Sequence, residues 1–248
     1  MADSYQINVS GPDAKTVVIP PVNGIDGTPL GPAGNGKDGV AGKFDHTCEQ
    51  QATPGLPGNF GTGAPPADSG ASGANAFNVT ITCSEYSGGT LMLLNNGGAG
   101  ADGNSGGKGG SGSDGGNAGK QPAKACTDVI AGGTGGNAGR GGAAGKAGDG
   151  GNAGDIAVVY GPGFSDNPVS AISNGGKAGM YGQPGLPGTP GKGGMGSDGT
   201  QASSGAAAGG GASGGGGKGG YGGSFEANPD KKMPGTYLKI SVMAHTGS

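Results

Sequence analysis

GGAGADGNSGGKGGSGSDGGNAGKQPAKACTDVIAGGTGGNAGRGGAAGKAGDGGNAG, residues 97–154, decides the fold of this chain. Gly97, Gly100, Gly103, Gly106, Gly109 and Gly112 fall on every third residue, and Gly115 continues the series. After the interruption QPAKACTDVI, Gly133, Gly136, Gly139, Gly142, Gly145 and Gly148 resume the same spacing through Gly154. Neither an α-helix nor a β-strand has a period of three. An extended polyproline-II-type helix does, and it makes no hydrogen bonds within itself. Its N–H and C=O groups point sideways and need partners in neighbouring segments. Neighbours approach closely only where side chains are absent, so one stripe in three is glycine. Pairs such as Gly97-Gly98, Gly109-Gly110 and Gly141-Gly142 bare a second stripe. Two bare stripes favour a bundle within one chain over a collagen trimer, which needs only one.

The pattern continues on both sides. Gly24 and Gly27 begin one phase, Gly31 and Gly34 shift it, and Gly36, Gly39 and Gly42 restore it. Gly55, Gly58, Gly61, Gly70 and Gly73 share a phase, as do Gly176 to Gly194 and Gly205 to Gly223. Short β-branched or alternating stretches separate these runs: SYQINV (4–9), KTVVI (15–19), FNVTI (77–81), TLMLL (90–94), DIAVV (155–159), VSAIS (169–173) and YLKIS (237–241). Ile7, Val79 and Ile156 are matching points of an internal threefold repeat.

The expected fold is therefore mainly irregular and polyglycine-II. About six antiparallel polyglycine-II helices form three hairpin arms on a small antiparallel β base of about seven short strands. The strand before each arm pairs with the strand after it, KTVVI with FNVTI, TLMLL with DIAVV and VSAIS with YLKIS. The whole chain, 1–248, reads as one repeat domain. Its repeats are 4–76 (arm 22–76), 77–154 (arm 95–154) and 155–235 (arm 174–227), with a closing strand and tail at 236–248. At about 3.1 Å per residue the shaft would span roughly 60–75 Å.

The composition, 67 Gly, 17 Pro, no Trp and 31% hydrophobic residues, allows only a small apolar core. In the absence of a period it would signal disorder. The net charge of −3 is scattered, so no basic patch points to nucleic acid. No stretch approaches the ~18 apolar residues of a membrane span. The beginning MADSYQINVSG lacks a secretory layout, which implies synthesis in the cytosol and, for work outside, an exit by lysis, by particle assembly or by another route.

Three turns lie at the far end of the arms: residues 44–51, 121–128 and 200–208. A rigid scaffold carrying variable loops is a common way to build a binding surface. The candidate binding residues are Phe44, Asp45, His46, Glu49, Gln50, Lys124, Asp128 and Gln201. The base turns, 11–14, 84–89 and 161–168, and the edge strand offer candidate assembly residues: Tyr5, Ile7, Val9, Tyr86, Tyr160 and Phe164. Cys48 and Cys126 both fall in far-end turns and could form a bridge tying two arms, whereas a reducing cytosol would keep them as thiols. Cys83, in a strand, reads as a small buried residue. Zinc spacing is absent.

GGAGAD (97–102), GGSGSD (109–114) and GGMGSD (193–198) match the first half of the calcium-binding β-helix repeat. Its aliphatic position holds Asn104, Gly116 and Thr200 instead, so the reading gives no metal and no cofactor. His46 and His245 have no triad layout around them, and an enzyme is not expected.

The runs GGAGADGNSGGKGGSGSDGG and GGTGGNAGRGGAAG resemble the glycine-rich motifs of the tail-fibre tip adhesins of T-even-type phages. That resemblance implies a polyglycine-II receptor-binding domain with variable distal loops. GGNAGRGGAAGKAGDGGNAG resembles the triplets of the snow flea antifreeze protein, and GQPGLPGTPGKGG (182–194) resembles bacterial collagen-like proteins. Together they imply a non-enzymatic structural or receptor-binding protein of a virion or extracellular surface, attached to a larger fibre. The alternatives are a self-assembling filament or surface-structure subunit that binds copies of itself and, third, an ice-binding protein.

Overall fold

The computed structural model describes residues 5–43, 47–86, 90–122, 125–164, 169–229 and 238–244. The described residues form nine strands: β1 (Tyr5–Asn8), β2 (Val40–Ala41), β3 (Cys48–Gln50), β4 (Phe77–Tyr86), β5 (Leu91–Leu94), β6 (Ile156–Phe164), β7 (Val169–Ile172), β8 (Phe225–Pro229) and β9 (Leu238–Ala244). The one helical turn among the described residues is a 3₁₀ turn at Gly31–Gly34.

Between the strands lie six extended, glycine-rich runs, here A (11–39), B (53–76), C (95–119), D (131–154), E (173–195) and F (202–223). Each is joined to its neighbours by backbone bonds that recur every third residue. Gly11 and Gly27 of run A donate to Asn96 and Ser111 of run C, and Gly97 and Gly106 of run C donate to Asn174 and Gln183 of run E. Both numbers in each pair rise together, so A, C and E are parallel and form one layer. B, D and F form the second in the same way, through bonds such as Gly58 to Thr134 and Gly150 to Lys218. Across the layers the direction reverses. Gly133 and Gly151 of run D reach Gly116 and Gly98 of run C, and Gly176 and Gly194 of run E reach Gly151 and Gly133 of run D.

Two sheets continue these layers at the base. β1, β5 and β7 lead into runs A, C and E and pair in that order, all parallel. β4, β6 and β8 follow runs B, D and F and pair in parallel, with β9 added antiparallel on β4. Val79, Ile81, Leu91, Leu93, Ile156 and Val158 come from both sheets and form the buried core. Ile7, Val9, Tyr160, Val169 and Ala171 pack against it. Cys83 is buried in β4, and burial pushes its thiol pKa up.

The expected fold class is corrected by this arrangement. The antiparallel base does not exist: both base sheets pair their repeat-equivalent strands in parallel, with β9 as the single antiparallel addition among the described residues. The physical reason is the layering. A run and the strand continuous with it share one direction, and a layer collects every second run, all pointing the same way. Nor do the strands flanking one arm pair in the base sheets, because they lie in opposite layers. No described residue is α-helical, and among the described residues the two base sheets hold seven strands, with β2 and β3 forming a separate pair. Lys15–Ile19 is not a strand. It belongs to run A, with Val17 65% and Val18 81% exposed. Its β-branched side chains have no place in a glycine lattice, and run C opposite carries Ala101 and Asn104 in place of inner glycines. The expected base turn at 11–14 is likewise the start of run A, with Gly11 and Ala14 bonded to Asn96 and Ala99.

Candidate functional site at the far end

Three glycine-rich hairpins end together, opposite the apolar core. β2 and β3 pair antiparallel and close the first turn, and Gly42 donates to the carbonyl of Thr47 at 2.8 Å. Cys48 on β3 is bonded to Cys126 of the second turn. Beside the disulfide, Gln51 Nε2 donates to Asp128 Oδ2 at 3.0 Å. Gln121 Nε2 donates to Gln51 Oε1 and to the Asp128 carbonyl, while its own Oε1 accepts from the Ala52 N–H. Two carboxamides and one carboxylate thus lock the first turn to the second.

The third turn is built locally. Gly199, at φ 84°, takes the left-handed conformation that a side chain disfavours. The Asp198 carboxylate accepts from the Thr200 hydroxyl at 2.6 Å and from its N–H at 2.9 Å. Those bonds, the hydroxyl first, hold the Asp198 pKa below the ordinary carboxylate value. Ile130 and Ser197 exchange bonds of 2.8 Å, N–H to hydroxyl one way and N–H to carbonyl the other, which ties the third turn to the root of run D. The far end is therefore a single connected surface.

Of the candidate binding residues, Glu49 and Gln50 lie exposed on β3. Asp128 is exposed and engaged by Gln51. Gln201 is exposed, with its Nε2 on the Gly193 carbonyl at 3.0 Å. Phe44, Asp45, His46 and Lys124 lie outside the described residues, as does His245. At the base, Ile7, Val9 and Tyr160 face the core. Tyr86 and Phe164 are register partners at the ends of β4 and β6, and Tyr5 opens β1 opposite Leu91. The twelve named structural glycines, Gly97 to Gly112 and Gly133 to Gly148, each stand where a Cβ would come within 2.4 Å of a neighbouring carbonyl oxygen.

What the sequence reading missed is the role of the residue just before each stripe position. In triplet 97–99 of run C, Gly97 donates to Asn174 of run E and Gly98 to Ala74 of run B. The third N–H, of Ala99, donates to the side chain of Asp13 in run A. The same bond recurs from Lys108 to Asn23, Asn117 to Asn35, Met180 to Asp102, Lys192 to Asp114, Lys218 to Asp149 and Tyr221 to Asn152. Asn and Asp carry an oxygen at the reach needed to bridge parallel runs, and this satisfies the one donor that the backbone leaves over. Asp102 and Asp114 of the calcium-like hexads each commit one carboxylate oxygen to this ladder, and Asp198 one to its own turn. Among the described residues no group of three His, Cys, Asp or Glu is placed to hold a metal ion, and no helix is long and apolar enough to cross a membrane.

No family model matches the chain, and no curated protein matches it. Among solved structures, a nine polyproline type II helical bundle springtail antifreeze protein from Granisotoma rainieri is similar at 18% identity. The match covers 79% of this chain and 97% of that one, with a TM-score of 0.09. At that score it carries no argument about fold or function.

Proposed function

We propose that this chain is a non-enzymatic display protein whose glycine-rich shaft holds the far-end turns against a cell-surface receptor, as the tip of a tail fibre or another particle-surface adhesin. The observation that carries this reading is the bracing of the far end: Cys48–Cys126, the Gln51–Gln121–Asp128 cluster and the Ile130–Ser197 pair. Ordering three turns against one another costs entropy, and a shape fixed in this way suits recognition. A disulfide persists in oxidising surroundings, which supports work outside the cytosol. Labelled full-length protein incubated with whole bacterial cells tests it. Glu49→Lys with Gln50→Ala on β3 should abolish adsorption without changing the melting temperature, while Lys177→Ala on the shaft should leave it intact. Undiminished adsorption of the β3 variant would refute a receptor-binding tip.

A second reading, a self-assembling filament, is favoured by the free edges of the three-stranded sheet. β1 and β7 each pair on one side only among the described residues. Electron micrographs showing long fibres with a regular axial repeat would favour this reading.

A further inference from the structure

Run A leaves the lattice at one place and returns in phase. Gly27 donates to Ser111 and Gly36 to Asn117, both at 2.7 Å. Between these bonds run A advances nine residues while run C advances six. The surplus is one full period of three, taken up by the 3₁₀ turn Gly31–Gly34, with Gly31 at φ 58°. Ser113 lies beneath this turn. Its neighbours at the inner position on this stretch of run C, Gly107, Gly110, Gly116 and Gly119, each stand where a Cβ would come within 2.0 Å of a run A carbonyl. Ser113 instead turns its hydroxyl to the N–H of Asn59 at 2.8 Å, and run A arches over it. Run B pins the arch: Leu56 donates to the Gly34 carbonyl and Asn59 Nδ2 to that of Thr28.

Beneath the arch is a groove of about 510 Å³ lined by Asp26, Pro29, Leu30, Asn35, Ser113 and Asp114, a volume in the range of small-molecule sites. Its floor is the main chain of Asp114. One period away on either side, the Ser111 and Asn117 N–H groups donate to Asp26 and Asn35 side chains, and their carbonyls accept from Gly27 and Gly36. The Asp114 N–H and C=O have no partner among the described residues. The complement of that peptide is an amide, which has one N–H to give and one oxygen to accept. Asp26 and Asp114 each use Oδ1 for a backbone N–H, so each has a second oxygen for a ligand hydroxyl. Leu30 and Pro29 add apolar surface for a methyl group. An amide, a methyl and hydroxyls on one small scaffold describe an N-acetylated amino sugar.

We propose that this groove binds an N-acetylhexosamine unit of a surface glycan. The site lies on the shaft and stands or falls separately from the far-end turns. Nitrogen-15-labelled full-length protein is titrated with N-acetylglucosamine and N-acetylgalactosamine at millimolar concentration, with glucose, galactose and N-methylacetamide as comparisons. Saturable shifts are expected at the Asp114, Gly115 and Ser111 amides with an acetamido sugar, and affinity at least about tenfold weaker for the comparison compounds. Deleting residues 30–32 together with Ser113→Gly lets run A lie down on run C. This variant should keep the core amide signals and lose the binding. Asp26→Asn, which retains the oxygen bonded to Ser111, should weaken binding several-fold and serves if the deletion does not fold. Absence of saturable shifts with both acetamido sugars, equal affinity for glucose or N-methylacetamide, or unchanged binding in both variants would overturn the proposal.

Discussion

Gly142 shows how little room a lattice position has. A Cβ there would stand 2.3 Å from the Pro65 carbonyl oxygen and 3.1 Å from the Gly107 nitrogen, both backbone atoms of runs held by their own bonds. Overpacking costs about 1–3 kcal/mol where side chains can yield, and here the neighbours are main chain. Gly142→Val should therefore cost at least about 3 kcal/mol or leave run D unpacked. Lys146→Val, at an exposed position of the same run, should lie within about 0.5 kcal/mol of wild type. Chemical denaturation of the two variants tests this, and equal midpoints would undo the argument from glycine phase. The side-chain ladder makes a separate claim. Asp149 Oδ1 accepts the Lys218 N–H at 2.6 Å, and an Asn oxygen can do the same. Asp149→Asn should be close to neutral and Asp149→Ala should cost about 1 kcal/mol. If Asn is as costly as Ala, the carboxylate charge matters rather than the acceptor.

At the scale of elements, the period of three and the phase of every run can be read directly from the glycines, because close approach of backbones leaves no other residue. The seven expected strand segments were less legible: Lys15–Ile19 has the β-branched composition of a strand yet lies in run A, because no strand stands beside it. Pairing was not legible at all. TLMLL and DIAVV adjoin the same arm, and only the layering decides that β5 pairs with β1 and β7. At the far end, the cysteines were visible as a possible bridge, whereas Gln51 and Gln121 are ordinary polar residues until the turns meet. The disulfide closes a sequence separation of 78 residues. On the chain-entropy account such a loop contributes about 4.5 kcal/mol. Cys48→Ser with Cys126→Ser should lower the denaturation midpoint accordingly and speed hydrogen exchange at Gln51 and Gln121 while leaving run C near Gly98 protected. Uniform loss of protection would mean that the bridge holds the whole bundle rather than its far end.

For the whole molecule, the apolar core and the bulk of the fold are different things. The core cluster contains Val79, Ile81, Leu91, Leu93, Ile156 and Val158, all in the sandwich at one end. Along the shaft the buried positions are glycine and alanine, joined by Ser113 and, at the start of run C, Asn95. What unfolding exposes there is main chain. Apolar exposure raises the heat capacity and polar exposure lowers it, and the two usually leave about 12–15 cal/mol/K per residue. A shaft whose contacts are N–H to C=O shifts that balance toward the polar term. Differential scanning calorimetry should therefore give a heat-capacity change per residue of less than about half the usual value. The stability curve follows from this: a small heat-capacity change flattens it, so stability falls only slowly toward low temperature. Such a curve suits the proposed display role, in which the shaft keeps its shape across a range of temperatures. A heat-capacity change at the usual value would show that apolar surface is buried along the shaft as well. In that case the side chains between the runs, and not the backbone ladder, would hold the six runs together.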